Sequence, residues 1–424
     1  MKTKKQSHNN RRLSLLLIGI LLLSTSACGL RVNAEELSAD YQRRSTEEGD
    51  ISDARFKQAM ADFSWRLFKE SLKAGGENEA VSPLSAILCL GMIANGASGE
   101  TKKQMEQAFG MDLDTLNRCL YSYTAALYSA KNCKVNLADS IWFRDGDNLQ
   151  IREEFLQANA DWYGAEAYAA PFDETTRQAI NSWCRQKTNG MIQEILKEIP
   201  ADTKMYLINA LAFEAKWAKA YEKAQIHEKD FTSYAGDSQT ASMLSSEEKI
   251  FLSGANGKGF AKSYAGEKYS FVGLLPAEGV DVYEYAASLD GAAWLALWNS
   301  RRTTTVNVTM PEFTMASHKS MKEALKAMGM TDMFDRSLAD FSGITEKNDL
   351  FCSNVEQKVY VQVDRSGTKA AAITWGGMEA KSAPIIEEET VILDRPFVYA
   401  IVEQETGLPL FIGVTAEINT ENPV

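Results

Sequence analysis

Histidine is nearly absent from this 424-residue chain: His8, His227 and His318 are all there is. A Ser–His–acid hydrolase would need one of them beside a nucleophile, and the chain also lacks a GxSxG elbow. His8 falls in the leader described next, and the other two have polar surroundings, so catalysis is not expected. Cysteine is equally sparse. Cys28, Cys89, Cys119, Cys133, Cys184 and Cys352 include no CxxC pair, which argues against a zinc or thioredoxin-like site. Cys89 and Cys184 sit among apolar neighbours and read as small core residues, and nothing in the spacing demands a disulfide. Positive charge is in deficit as well, with 45 Lys and Arg against 57 Asp and Glu, a net of −12. So acidic a chain is a poor partner for nucleic acid or a heparin-like polyanion. No cofactor motif stands out.

Long apolar runs are missing too, except residues 13–23. That run follows five Lys or Arg within residues 1–12 and precedes the small residues Ser24, Thr25, Ser26 and Ala27. Basic start, short apolar centre and small-residue end make an export signal, too short for a comfortable transmembrane span. The end resembles a bacterial lipobox, which implies a lipid on Cys28 after removal of residues 1–27 and membrane attachment through it. Thr25 departs from the usual Leu, and the alternative is an ordinary export signal. Removal would take the net charge to −17. Residues 28–53 are polar and read as a solvated tether, leaving residues 54–424 as a single domain.

The composition of that domain is globular, 45% hydrophobic and 24% charged. Its first half is helical in pattern. Phe56, Met60, Phe63, Leu67 and Phe68 recur on one face, Ser82-Pro83 opens a second helix, and residues 102–109 form a third that stops at Gly110. Residues 177–196 read as a helical segment broken near Asn189-Gly190. Strands dominate afterwards: 206–213, 271–275, 304–310, 358–363, 398–402 and 410–414, the last two a hairpin around Gly407. A helix over 319–327 ends at Gly329. The division is α+β, and no repeat or composition break follows residue 53.

Residues 364–382, DRSGTKAAAITWGGMEAKS, read as a strand left outside a sheet. From Thr368 every second residue is small or neutral: Thr368, Ala370, Ala372, Thr374 and Gly376. Lys369, Ala371, Ile373 and Trp375 fall on the opposite face, because strand side chains alternate. One face could slide beneath covering structure while the other met solvent. Gly367 supplies a pivot. The segment ends at Lys381-Ser382, a bond suited to a trypsin-like protease.

Six blocks in order resemble the serpins over about residues 54–417: NEAVSPLSAILCLGMIANGASGETKKQM (78–105), INSWCRQKTNGMIQEIL (180–196), LINALAFEAKWAKAYEK (207–223), VNVTMPEF (306–313), KEALKAMGMTDMFDRSLADFSGI (322–344) and DRPFVYAIVEQETGLPLFIGVT (394–415). The resemblance implies a serpin-like fold of three β-sheets and about eight or nine helices, with an exposed reactive-centre loop at about 364–393. It implies a suicide inhibitor of trypsin-like serine proteases, with cysteine proteases as further targets. The molecule is expected to be a monomer with no nucleic-acid partner. The rival within the family is a non-inhibitory binder, chaperone or carrier that never inserts its loop.

Carried over residue by residue, the hinge is Gly367, Thr368, Lys369, Ala370, Ala371 and Ala372. Lys381 and Ser382 flank the reactive bond, with Ala380 or Ser382 the alternative bait if the loop differs by one residue. Ser82, Ser85, Asn209, Trp217 and Gln357 fall in the sheet-opening region. Three departures stand out. Lys369 replaces the usual Glu, Ile373 and Trp375 are large, and Gln357 replaces a His. All the loop departures fall on the outward face. Gln357 offers both a donor and an acceptor, so a latch there survives without histidine's pH sensitivity. Glu387, Glu388 and Glu389 read either as an attraction for a basic protease surface or as a solvated turn.

Overall fold

The computed structural model describes residues 34–44, 47–72, 77–128, 133–146, 150–201, 203–347, 350–368 and 388–419. Cys28, Lys369, Ala370, Ala371, Ala372, Lys381 and Ser382 therefore lie outside the described residues. Within them are nine α-helices: α1 Ala54–Ser71, α2 Pro83–Ala94, α3 Gly99–Phe109, α4 Leu113–Tyr128, α5 Glu153–Trp162, α6 Glu174–Lys187, α7 Val282–Ser288, α8 Gly291–Asn299 and α9 Lys322–Ala327. The strands are β1 Glu35–Glu36, β2 Glu79–Val81, β3 Cys133–Arg144, β4 Glu166–Ala170, β5 Met205–Lys216, β6 Ile226–Thr232, β7 Ser238–Gly254, β8 Gly257–Ser263, β9 Tyr269–Pro276, β10 Arg302–Pro311, β11 Phe313–Ser320, β12 Glu356–Asp364, β13 Gly367–Thr368, β14 Glu389–Ile392, β15 Phe397–Glu403 and β16 Pro409–Thr415.

The central sheet runs β1-β4-β3-β5-β13-β12-β11. A second ladder runs β14-β10-β7-β8-β9-β15-β16-β2, with β6 also paired to β7. It is continuous only because β7 is long. The first part of β7 pairs with β6 and β10, and its last residues pair with β8, so the ladder packs as two sheets and the fold has three. The main core lies between the inner face of the central sheet, the helices α1 to α4 and the β9-β15-β16 sheet. A smaller cluster, including Trp142, Ile180, Ile195, Tyr206 and Ile208, fills the space between α6 and the outer face of the central sheet.

Local chemistry accounts for the helix ends. Asp53 caps α1, Ser82 caps α2 ahead of Pro83, and Gly110 closes α3 with φ +76. Two expectations fail at boundaries. The helical reading of 177–196 holds only to Lys187. Asn189 and Gly190 turn left-handed, and the apolar residues after them cover the sheet as irregular chain. Ile195 and Leu196 are held there by N–H donation to Asn181 Oδ1 at 2.8 and 2.9 Å. Lys319 and Ser320 belong to β11, where ladder pairing with Gln357 and Glu356 overrides helical spacing.

The polar stretch before residue 54 is no free tether from Glu35 onward. Strand β1 adds to β4 at the sheet edge, Arg44 pairs with the buried Asp161 at 2.5 Å, and Gly49 donates to Arg118 O at 3.2 Å. A Cβ on Gly49 would meet the α4 backbone at 2.4 Å, so the chain lies directly against that helix. Composition could not separate solvated charges from paired ones.

Candidate functional site

The site is the place where a strand of two residues has entered the central sheet. Strands β5 and β12 run parallel, and β13 lies antiparallel between them at one end. Thr368 pairs with Val363 on one side and with Ala215 on the other, and Gly367 with Asp364 and Lys216. A tight turn delivers the chain to this slot. Asp364 Oδ1 accepts from the N–H groups of Ser366 at 2.7 Å and Gly367 at 3.2 Å. Burial raises the pKa of the Asp364 carboxyl despite those bonds. Gly367 has φ +150, and a Cβ there would stand 2.1 Å from the Ala215 carbonyl oxygen. Only glycine fits.

Thr368 is buried, with its hydroxyl 2.7 Å from that of Tyr264. Burial pushes the Tyr264 hydroxyl far above its ordinary pKa, so the pair exchanges a neutral hydrogen bond. Tyr264 stacks on Trp217 with centroids 4.5 Å apart and an interplanar angle of 9°. Trp217 in turn holds the turn twice, its indole donating to Asp364 O at 2.8 Å and its backbone N–H to Ser366 O at 3.1 Å. Beneath it, Lys262 lies over the rings of Trp217 and Tyr221 and bonds Glu248 at 2.7 Å. Burial lowers the Lys262 pKa, and Glu248 offsets part of that effect.

On the outside of the turn Arg365 grips Glu312 with two guanidinium nitrogens at 3.0 and 2.9 Å, and its N–H adds a third bond at 2.9 Å. Burial alone would raise the Glu312 carboxyl, but the bonds from Arg365 and Ser242 hold it below its ordinary pKa.

Further down the sheet, Gln357 and Ser82 form a reciprocal pair. Gln357 Oε1 accepts from Ser82 N–H at 2.9 Å, and Gln357 Nε2 donates to Ser82 O at 2.8 Å. The Ser82 hydroxyl donates to Leu410 O at 2.8 Å, tying α2 to β16. Ser85 follows one turn into α2, its N–H 3.4 Å from Ser82 Oγ. Asn209 lies in β5 opposite Asp139, and its side chain is outside the described residues. The structure thus brings Ser82, Ser85 and Gln357 together at one point, and Trp217, Gly367 and Thr368 at another.

The far end of the loop is anchored at β14. Asn307 donates to Glu388 at 3.0 Å and Arg302 pairs with Glu389 at 2.6 Å. Arg302 offsets the charge of Glu389, whereas Asn307 is an uncharged donor and leaves Glu388 its charge; Glu387 lies outside the described residues. Tyr264, Glu312 and Arg365 escaped the reading of the sequence. Glu312 stood in a recognised block, but no local pattern links it to a residue 53 positions away. The two histidines fit surface roles: His227 is exposed on β6, and His318 lies 3.2 Å from Glu356. The thiols of Cys89, Cys119, Cys133, Cys184 and Cys352 are free.

A family model described as "Serpin (serine protease inhibitor)" matches residues 58–418. Glia-derived nexin of Rattus norvegicus is 28% identical over 387 residues, covering 87% of this chain and 95% of that protein. Among solved structures, the thermophilic serpin tengpin in its native state is 40% identical, with a TM-score of 0.87 over 91% of this chain and 100% of its own. Tengpin in its latent state is 39% identical, with a TM-score of 0.78 over 88% of this chain and 100% of its own.

Proposed function

The chain belongs to the serpin family, and on that footing we propose that it is a single-use inhibitor of trypsin-like serine proteases. The observation that carries the reading is the seating of Gly367 and Thr368 as the first rungs of a strand between β5 and β12. Serpin loop insertion is itself an established instance of strand addition and of stored-strain release.

The protease supplies the chemistry. Its serine hydroxyl attacks the Lys381 carbonyl, an ester forms, and the amine of Ser382 leaves. The freed segment 368–381 then continues β13 down the sheet as a strand of roughly 45 Å. About ten or more ladder hydrogen bonds, each worth about 1 kcal/mol net, rival the whole stability of an ordinary domain. That gain drags the acylated protease from its docking place before water cleaves the ester. The small residues Ala370 and Ala372 favour insertion over the carrier reading, since no charge need enter the inner face.

An export signal over residues 1–27 and a lipid on Cys28 would hold the inhibitor at the cell surface. The acidic surface gives no reason to expect nucleic acid, and one molecule suffices for the trap.

Mixing the protein with excess trypsin tests the reading. A denaturant-resistant band near the summed mass is expected. Nicked protein beside fully active trypsin would remove the inhibitor reading. Lys381→Glu should abolish the band without changing the melting temperature of the uncleaved protein, and mass spectrometry of the released fragment identifies the severed bond.

A further inference from the structure

A cavity of about 580 Å³ lies beneath the connection that follows α6, at the end of the β5–β12 seam remote from β13. Leu196, Tyr206 and Phe351 supply apolar wall, and His318, Asn354 and Glu356 a polar rim. Its size is that of sites that hold small organic molecules, about 300–1,000 Å³. The covering chain is fastened by Asn181 to Leu196 O and by Lys358 Nζ to Glu194 O at 2.9 Å, and its continuation through Pro200 and Thr203 borders the cavity.

The register of β13 says what would arrive there. Thr368 pairs with Ala215 and Val363, and all three side chains are buried on the inner face. Continued in step, the strand brings Trp375 to the rung of Ile208 and Glu356. Parity puts Trp375 on the outer face, the same face as Tyr206, Ile208 and Glu356. The next outer position, Gly377, falls at Tyr206 and Asn354, the cavity mouth. It carries no side chain to occupy the space. One outer position is about 7 Å along a strand, within reach of an indole.

We propose that this cavity is the seat of Trp375 once the loop has been cleaved, and that the indole fixes the far half of the inserted strand. The proposal rests on the insertion reading above and adds a named contact to it. Trp375 places a large apolar body under the α6 connection, and its N–H meets acceptors on the polar rim. The largest residue on the outer face of the loop thereby becomes an anchor rather than an obstacle.

The test compares intact protein with protein nicked in the loop by a metalloprotease, which cleaves with water, forms no acyl-enzyme and so cannot be trapped. In 5-fluorotryptophan-labelled protein, the ¹⁹F signal lost in Trp375→Phe reports on Trp375 alone. Nicking should shift that signal and remove its sensitivity to acrylamide and to D₂O. Trp375→Ala should lower the melting temperature of the nicked form by several degrees and leave that of the intact form unchanged. Phe351→Ala, scored as the nicked-minus-intact difference, should lose its effect in the Trp375→Ala background, as expected of residues in contact. If nicking raises stability but Trp375 stays open to quencher, or the two substitutions add independently, the seat is wrong and insertion stands. If nicking brings no gain in stability at all, insertion itself fails and the seat falls with it.

Discussion

The hydroxyls of Thr368 and Tyr264 lie 2.7 Å apart inside the protein, on opposite sides of the boundary between the central sheet and the core behind it. The first side chain of the loop's inner face is thus already enclosed before any bond is cut. Thr368→Arg would force a charge into a space closed by Tyr264, at a cost of several kcal/mol. Trypsin should still cut the loop of this variant but leave no stable complex, as gel electrophoresis of a titration will show. A variant that traps normally would mean that the inner face has been misassigned.

Gly367 sets the geometry of entry. With φ +150 and a Cβ only 2.1 Å from the Ala215 oxygen, Gly367→Ala carries about 1–3 kcal/mol of backbone strain as well as the clash. Expulsion of β13 relieves both. Amide exchange at Thr368 should accelerate, and more molecules should be cleaved for each protease trapped. Unchanged exchange and an unchanged inhibition stoichiometry would show that the sheet tolerates the methyl.

Gln357 satisfies the backbone N–H and carbonyl of Ser82 at once, where both are buried. Gln357→Leu keeps the bulk and strands both groups, which should cost about 2–4 kcal/mol in urea unfolding of the native state. Because an amide does not titrate, this latch should contribute nothing to the pH dependence of wild-type stability between pH 6 and about 7. Gln357→His should introduce such a dependence.

Asp161 gives the segment before α1 its own pH response. Burial would raise this carboxyl, but the guanidinium and N–H of Arg44 and the amide of Gln157 outweigh it and hold the pKa below the ordinary value. A depressed carboxyl stabilises the fold above its unfolded pKa and loses that contribution as pH falls through the folded one. Protection of the Leu37 and Gly49 amides, which bond Ala167 O and Arg118 O, should therefore hold at neutral pH and fade in acid below about pH 4. Arg44→Ala should bring the same loss at neutral pH. Equal exchange in the two proteins would show that the ion pair does not hold the segment.

Much of this was legible in the chain because it is local. The glycine ahead of Thr368 and the Ser82-Pro83 start of α2 are near-neighbour patterns, and turn and cap chemistry act over a few residues. Where two local signals competed, the tertiary ladder won. Lys319 looked helical by spacing and sits in β11 because Gln357 is across from it. Residues 191–196 kept their apolar spacing but not a helix, since Asn181 captures the backbone amides of Ile195 and Leu196.

What the sequence determined alone was local: the caps and starts of helices, and a glycine at 367 where a Cβ would meet the Ala215 oxygen, in a chain poor in histidine and in positive charge. The folded molecule decided how β13 is held. Glu312 meets Arg365, Tyr264 meets Thr368, and Arg44 meets Asp161 across 53, 104 and 117 positions of sequence. Such pairings depend on which strands become neighbours, and that is settled by burying one common core rather than by any residue's own preference.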